Sequence, residues 1–229
     1  MKHRILSILV LGILLSGCGG RSTKSTHTDP VLRTLHELEV AAKGGDAGAA
    51  FELGALYHDG EQGLAKDLTK ARSYFEEATR GGDQRAEFNL GVMYFEGEGV
   101  TKNYPKARKL FESAAKKNDV RAMFNLGAMY YAGLGVKVDF EKASTYFAQS
   151  GRLGFDQAQF NLGVMFAKGE GVPKNIGQAY AWFSAASSRG NQKAEEAMKN
   201  IERSLSSSER RSARSIAAEL EKELTSGKK

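Results

Sequence analysis

Cys18 is the only cysteine in 229 residues, so no intramolecular disulfide can form. It follows Leu15-Ser16-Gly17, where small residues give a peptidase room to approach and leave the thiol open to acylation. A second candidate is Ser113-Ala114-Ala115-Lys116, which has the serine-to-lysine spacing of some acyl-transfer sites. It lies at the end of a helical pattern, and no S-D-N or K-T-G partner accompanies it. A third is Gly97-Glu98-Gly99-Val100, repeated as Gly133-Leu134-Gly135-Val136 and Gly169-Glu170-Gly171-Val172. Paired glycines after a strand can cradle a phosphate. Here no strand pattern precedes them, and they recur at every joint between helical patterns. A turn that needs positive φ twice, plugged by a valine, accounts for them. His27, His36 and His58 lack metal-ligand spacing. The acids lie on exposed helix faces, and no Ser/His/Asp set falls on plausible elements. The residues therefore point to a non-enzymatic chain with no metal and no cofactor.

The elements that would position these residues begin with an address. Lys2 and Arg4 precede Ile5 to Leu15, a nearly unbroken apolar run too short to span a bilayer as a mature helix. With Leu15-Ser16-Gly17-Cys18 it resembles a bacterial lipobox. That resemblance implies a leader over 1–17, cleavage before Cys18 and a diacylglycerol on its sulfur. Gly19, in place of Asp, resembles delivery to the Gram-negative outer membrane, facing the periplasm. Residues 18–29 are small and polar and read as a lipidated cysteine with a flexible tether, reaching at most ~35 Å for ten residues. The net charge of +6 falls to about +4 without Lys2 and Arg4. That is too mild and too interspersed for nucleic acid.

The body of the chain is one sentence repeated. Ala86, Ala122 and Ala158 open near-identical segments 36 residues apart, and Ala49 opens a fourth that is one residue longer in its Gly60–Lys66 loop. A fixed period of this size marks a stacked repeat. Asp46, Asp83, Asp119 and Asn191 are placed to cap a first helix, with Phe155 breaking the row and Asp156 one residue late. Asp67, Asn103, Asp139 and Asn175 are placed to cap a second. Gly45, Gly82, Asn118, Gly154 and Gly190 tolerate the left-handed conformation that ends each second helix. Gly54, Gly91, Gly127 and Gly163 sit inside the first helices. A mid-helix glycine costs about 1 kcal/mol against alanine, so its recurrence implies a neighbour too close for a Cβ. Ala107, Leu110, Phe111 and Ala114 and their counterparts make the apolar stripe of the second helices, which places Trp182 in the core, with ligand stacking as its alternative.

Residues 46–193 hold the four repeats. Residues 30–45 read as a lone N-terminal capping helix, with Asp29 as cap and Pro30 at its first position. Residues 194–225 read as two polar capping helices, the second opened by the Ser206-Ser207-Ser208-Glu209 capping box with Ile216, Leu220 and Leu224 on one stripe. Residues 226–229 read as a frayed tail. The fold class is all-α, an α/α superhelical solenoid of about four helix-turn-helix repeats.

The pattern A-x-x-x-L-G-x-x-Y-x-x-G-x-G-V-x-x-D/N-x-x-x-A-x-x-Y/W-F-x-x-A resembles the Sel-like repeat family, relatives of the tetratricopeptide repeat with a longer, glycine-bearing loop. Copy one departs in its longer loop, and copy four has Phe166 for Tyr. The resemblance implies a solenoid that binds proteins or peptides on its concave surface, with several bacterial members serving envelope assembly or secretion. It also touches penicillin binding and β-lactam hydrolysis, but those members share paired cysteines that this chain lacks.

Helical phase turns Phe88, Val92 and Phe95 away from Leu90. The aligned residues are Phe51, Ala55, His58; Phe124, Ala128, Tyr131; and Phe160, Val164, Ala167. Phe51, Phe88, Phe95, Phe124, Tyr131 and Phe160 form either an apolar groove for a partner segment or packing between repeats. Asn89, Asn125 and Asn161, with Glu52 in copy one, either hold a peptide backbone or satisfy the next loop. Two functions follow: a lipid-anchored scaffold for a protein or peptide partner, or an accessory that binds cell-wall glycan.

Overall fold

Most of the helices start where a short polar side chain can accept from their first turn, and that chemistry sets those boundaries. The structure, a computed structural model, describes residues 34–226, which contain eleven helices and no strand. They fall into two compact units, 34–119 and 120–226. The N-terminal unit holds α1 (Leu35–Lys43), α2 (Ala47–Asp59), α3 (Leu68–Arg80), α4 (Gln84–Glu96) and α5 (Tyr104–Lys116). The C-terminal unit holds α6 (Val120–Ala132), α7 (Phe140–Arg152), α8 (Asp156–Lys168), α9 (Ile176–Ser187), α10 (Gln192–Ser204) and α11 (Ser207–Ser226). The repeats are the pairs α2/α3, α4/α5, α6/α7 and α8/α9. The fold is all-α, as the period of the sequence requires.

Seven of the expected caps are in place. Asp46 accepts from the Gly48 and Ala49 amides, Asp83 from Arg85 and Asn191 from Ala194. Asp67, Asn103, Asp139 and Asn175 cap α3, α5, α7 and α9. Phe155 stands at the cap of α8 and makes no side-chain cap bond. Asp156, one residue on, instead accepts from Asn191 Nδ2 at 2.8 Å. Asn118 adopts φ 65°, and Gly45, Gly82, Gly154 and Gly190 lie at φ 88–94°, the left-handed row that ends each second helix.

α1 begins at Leu35, with Thr34 as its cap and a reciprocal bond to Glu37. Asp29 and Pro30 lie outside the described residues, as do Cys18, His27 and the expected leader and tether. At the other end, the Ser206–Glu209 box forms: the Ser206 amide donates to Glu209 at 2.8 Å.

Inside each repeat, one contact repeats. The ring of Phe75, Phe111, Phe147 or Phe183 lies flat on Gly54, Gly91, Gly127 or Gly163, where an added Cβ would fall 2.6–2.8 Å from the ring. The close neighbour implied by the mid-helix glycines is therefore an aromatic ring from the second helix. These four phenylalanines are 0–3% exposed.

The last helix does not continue the stack. α11 packs chiefly on α9, the second helix of the preceding repeat, where a continuing repeat would pair it with α10. Gly177 makes room: a Cβ there would lie 2.7 Å from Ile216 Cδ1. Ala213, Leu220 and Leu224 are buried beneath α11. Arg214 joins Glu202 of α10 at 3.0 Å, and Arg189 and Arg152 reach Glu221 and Glu223 at 3.6 and 3.5 Å.

Candidate functional site

The first helix of a repeat is contacted on two sides, and this decides what is left for a partner. One side meets its own second helix. Phe51, Phe88, Phe124 and Phe160 stand one turn before the ring-bearing glycines, and their rings lie 5.4–5.8 Å from Phe75, Phe111, Phe147 and Phe183. For α4 and α8 the other side meets the second helix of the preceding repeat. In the N-terminal unit, the Tyr94 hydroxyl of α4 donates to Glu76 of α3 at 3.1 Å.

The aromatic row therefore does not line an open groove. Phe88 and Phe124 are 1% exposed, and Phe95 and Phe160 are 6%. Phe95 packs edge-on against Tyr104, and Phe160 sits in a cluster with Ala179, Phe183 and Ala194. Phe51 is half-buried under the Arg85 guanidinium, 4.1 Å from its ring centre. Of the two readings of this row, groove or packing, the burial fits packing, because a helix between two neighbours buries both of those sides. The packing is mostly within a repeat, on the partner helix; Phe160 also meets α10 residues.

Tyr131 is tied into a joint. Its hydroxyl donates to Glu170 Oε2 at 2.7 Å, and burial together with that bond holds the phenol well above its ordinary pKa. His58 stands at the corresponding place, with Nε2 3.0 Å from Glu98. Glu98 and Glu170 are the middle residues of two of the glycine-flanked loops, so these two loops clasp the first helix of the preceding repeat. The second glycine is also structural: a Cβ on Gly99 would lie 2.9 Å from the Leu68 carbonyl oxygen. These loops are joints between repeats.

The Ser-x-x-Lys match also resolves into packing. Ser113 Oγ donates to Glu87 at 3.0 Å, and the lysine on that carboxylate is Lys117, also at 3.0 Å. Lys116 is exposed. Among the described residues, no group of three or more His, Cys, Asp or Glu could hold a metal, and no helix is long and apolar enough to cross a membrane.

The third side of the first helix carries the asparagines. Asn89 and Asn125 are buried, and Asn161 is half-buried. Asn89 Oδ1 has no hydrogen-bond partner. One turn on stand Val92, Ala128 and Val164, with Ala55 at this place in the first repeat; Ala55, Ala128 and Val164 are half-buried. An amide followed one turn later by a small apolar residue is thus the stripe that neither neighbouring helix fully consumes.

A separate recess lies in the C-terminal unit among α7, α8, α9 and α11, with a volume near 680 Å³. Leu162, Phe166 and Trp182 give it apolar walls, and α11 closes one side with Leu220. Sequence reasoning noted Phe166 and Trp182 and missed Ser144 and Ala148. The available signal was small residues at places where the other repeats carry long or polar ones.

A family model described as Sel1 repeat matches residues 47–83, 84–119, 120–155 and 156–191. Among solved structures, the chain is similar to a protective antigen present in uropathogenic Escherichia coli strains displaying an SLR fold. The identity is 30% and the TM-score 0.76, covering 83% of this chain and 41% of that one. It is also similar to a Sel1 repeat protein from Oxalobacter formigenes, at 31% identity and TM-score 0.65, covering 72% of this chain and 48% of that one. The chain thus spans less than half the length of these two relatives. A search of the curated proteins found no match.

Proposed function

This chain belongs to the Sel1 repeat family, and from that premise we propose that it is a lipid-anchored, non-enzymatic scaffold of the bacterial envelope that holds a protein or peptide partner. Sel1 repeat proteins are generally protein–protein interaction scaffolds. The observation that carries the reading here is Asn89: its Oδ1 is buried in α4 and has no donor. An unanswered buried acceptor costs about 1–3 kcal/mol, and a small side-chain shift on binding would bring it to the backbone N–H of an extended partner segment. Asn125 and Asn161 repeat the same amide in the following repeats. The small apolar residues beside them, Ala55, Ala128 and Val164, leave room for partner side chains. The anchor rests on Leu15-Ser16-Gly17-Cys18, and outer-membrane placement facing the periplasm rests on Gly19.

Photoreactive residues at positions 55, 128 and 164 test the partner, with crosslinking in cells followed by mass spectrometry. One protein captured at these positions, and lost in Asn89→Ala with Asn161→Ala, supports the scaffold. No protein capture, with the purified chain sedimenting on peptidoglycan, replaces the scaffold by the glycan-binding accessory. Labelled palmitate tests the anchor separately: incorporation lost in Cys18→Ala supports it, and a chain without label refutes it.

A further inference from the structure

The recess of the C-terminal unit exists because four side chains differ from those at the matching places 72 residues earlier. In the N-terminal unit, Glu76 and Lys106 both bond to the Tyr94 hydroxyl, so three side chains bridge α3, α4 and α5. Arg72 stands one turn before Glu76. The matching residues are Ala148, Gln178, Phe166 and Ser144. Phe166 has no hydroxyl, and Ala148 has nothing to reach it. Ser144 turns its hydroxyl back to the Glu141 carbonyl at 2.8 Å. The space is left open over Trp182, and its volume near 680 Å³ falls within the range of ~300–1,000 Å³ usual for ligand sites.

Its rim has a defined charge. Glu219 and Glu223 stand one turn apart on α11, both exposed. Arg152 faces them from α7, 3.5 Å from Glu223, with both side chains more than half exposed, so this pair is weak and solvated. No ion pair of Glu219 appears among the described residues. The recess therefore offers an apolar floor beside a net acidic edge, and the Gln149 and Gln178 amides at its border can meet a peptide backbone.

We propose that this recess is a second binding site, which takes a bulky aliphatic or aromatic side chain from a short peptide segment that carries a basic residue next to it. The apolar side chain sits over Trp182 and Phe166, and the basic group lies against Glu219 and Glu223. The site uses α7, α9 and α11 with Leu162 and Phe166 of α8, and it stands whether or not the asparagine stripe binds a partner.

Trp182 is the only tryptophan in the chain, so its fluorescence reports on this site alone. The full chain is titrated with acetyl-Arg-Leu-Arg amide, acetyl-Glu-Leu-Glu amide and acetyl-Arg-Ser-Arg amide. The expected result is a saturable change with the first peptide, weakened by salt, and at least about tenfold weaker binding of the other two. Glu219→Gln with Glu223→Gln, both on the exposed edge, should remove the preference for the basic peptide. Ala148→Glu with Phe166→Tyr, which rebuilds part of the N-terminal bridge, should abolish the response. No saturable change with the first peptide overturns the proposal. So does an equal response to all three peptides, or an unchanged preference in the Glu219/Glu223 variant.

Discussion

The N-terminal and C-terminal units repeat one plan and spend it differently. In the first, a tyrosine, a glutamate and a lysine tie three helices across their outer side. In the second, a phenylalanine, an alanine and a glutamine stand at those places and leave a recess that α11 walls on one side. The contacts that define the fold are the same in both, above all a phenylalanine ring laid on a glycine. The difference teaches where a repeat can vary. Its ring-on-glycine contact has no slack, whereas the outer side between successive second helices tolerates either a polar bridge or a cavity.

The shared contact is where the two units should break alike, and it gives the largest effect. Phe111→Ala and Phe147→Ala each remove a fully buried ring, and each should cost about 3–5 kcal/mol in urea unfolding. Gly91→Ala and Gly127→Ala test the same contact from the other side. Alanine should gain about 1 kcal/mol of helix propensity, but overpacking against the ring costs about 1–3 kcal/mol. Net destabilisation in both units is expected; a stabilised variant would show that the ring moves aside freely.

The outer side is where the units should respond differently. Tyr94→Phe leaves Glu76 and Lys106 without their shared hydroxyl and should cost about 1 kcal/mol. Phe166→Tyr, the mirror change, finds Ala148 in place of a glutamate and should gain nothing. Equal and opposite shifts in thermal unfolding would mean that the bridge does not distinguish the units.

Much of this was legible in the sequence because caps and turns are local. Asp67, Asn103, Asp139 and Asn175 announce their helices with side chains that act within three residues. The positive-φ row through Asn118 is equally local. Helical phase alone left the aromatic row open between groove and packing, because phase shows which side faces away from Leu90 but not that a helix between two neighbours has two buried sides. The recess was not legible, since it needs Ser144 and Ala148 compared with Arg72 and Glu76 together with Phe166 from another helix. The path of α11 was not legible either: its stripe suits α10 as well as α9. Its one local trace is Gly177, where the earlier repeats carry Thr69, Pro105 and Glu141.

Gly177 gives a smaller, local effect confined to the C-terminal unit. A methyl there meets Ile216 Cδ1 at 2.7 Å, so the end of that side chain must turn aside and its contact with α9 loosens. Gly177→Ala is expected to speed amide exchange along 207–226 and leave 34–119 unchanged. Gly177→Ala with Ile216→Val should restore part of the protection, because the shorter side chain clears the added carbon. Faster exchange throughout the chain would mean that α11 supports more than its own unit.

The smallest effect should come from the ion pair at the start of α11. Glu202 accepts from the Tyr180 hydroxyl at 2.8 Å and pairs with Arg214 at 3.0 Å. Both bonds favour its charged form and hold its carboxyl below the ordinary value of 4.5. Tyr180, raised by burial and then by Glu202, stays protonated to higher pH than a free phenol. A depressed carboxyl stabilises the folded state above its unfolded pKa, and that stability is lost as pH falls through the folded value. A raised phenol does so below 10.0, and its contribution is lost as pH rises through its folded value. Glu202→Gln should therefore lower the urea midpoint slightly at neutral pH, and the gap should close well below pH 4.5. A gap that persists in acid would mean that the glutamate acts through its stem packing, and that charge does not fasten α11 to α10.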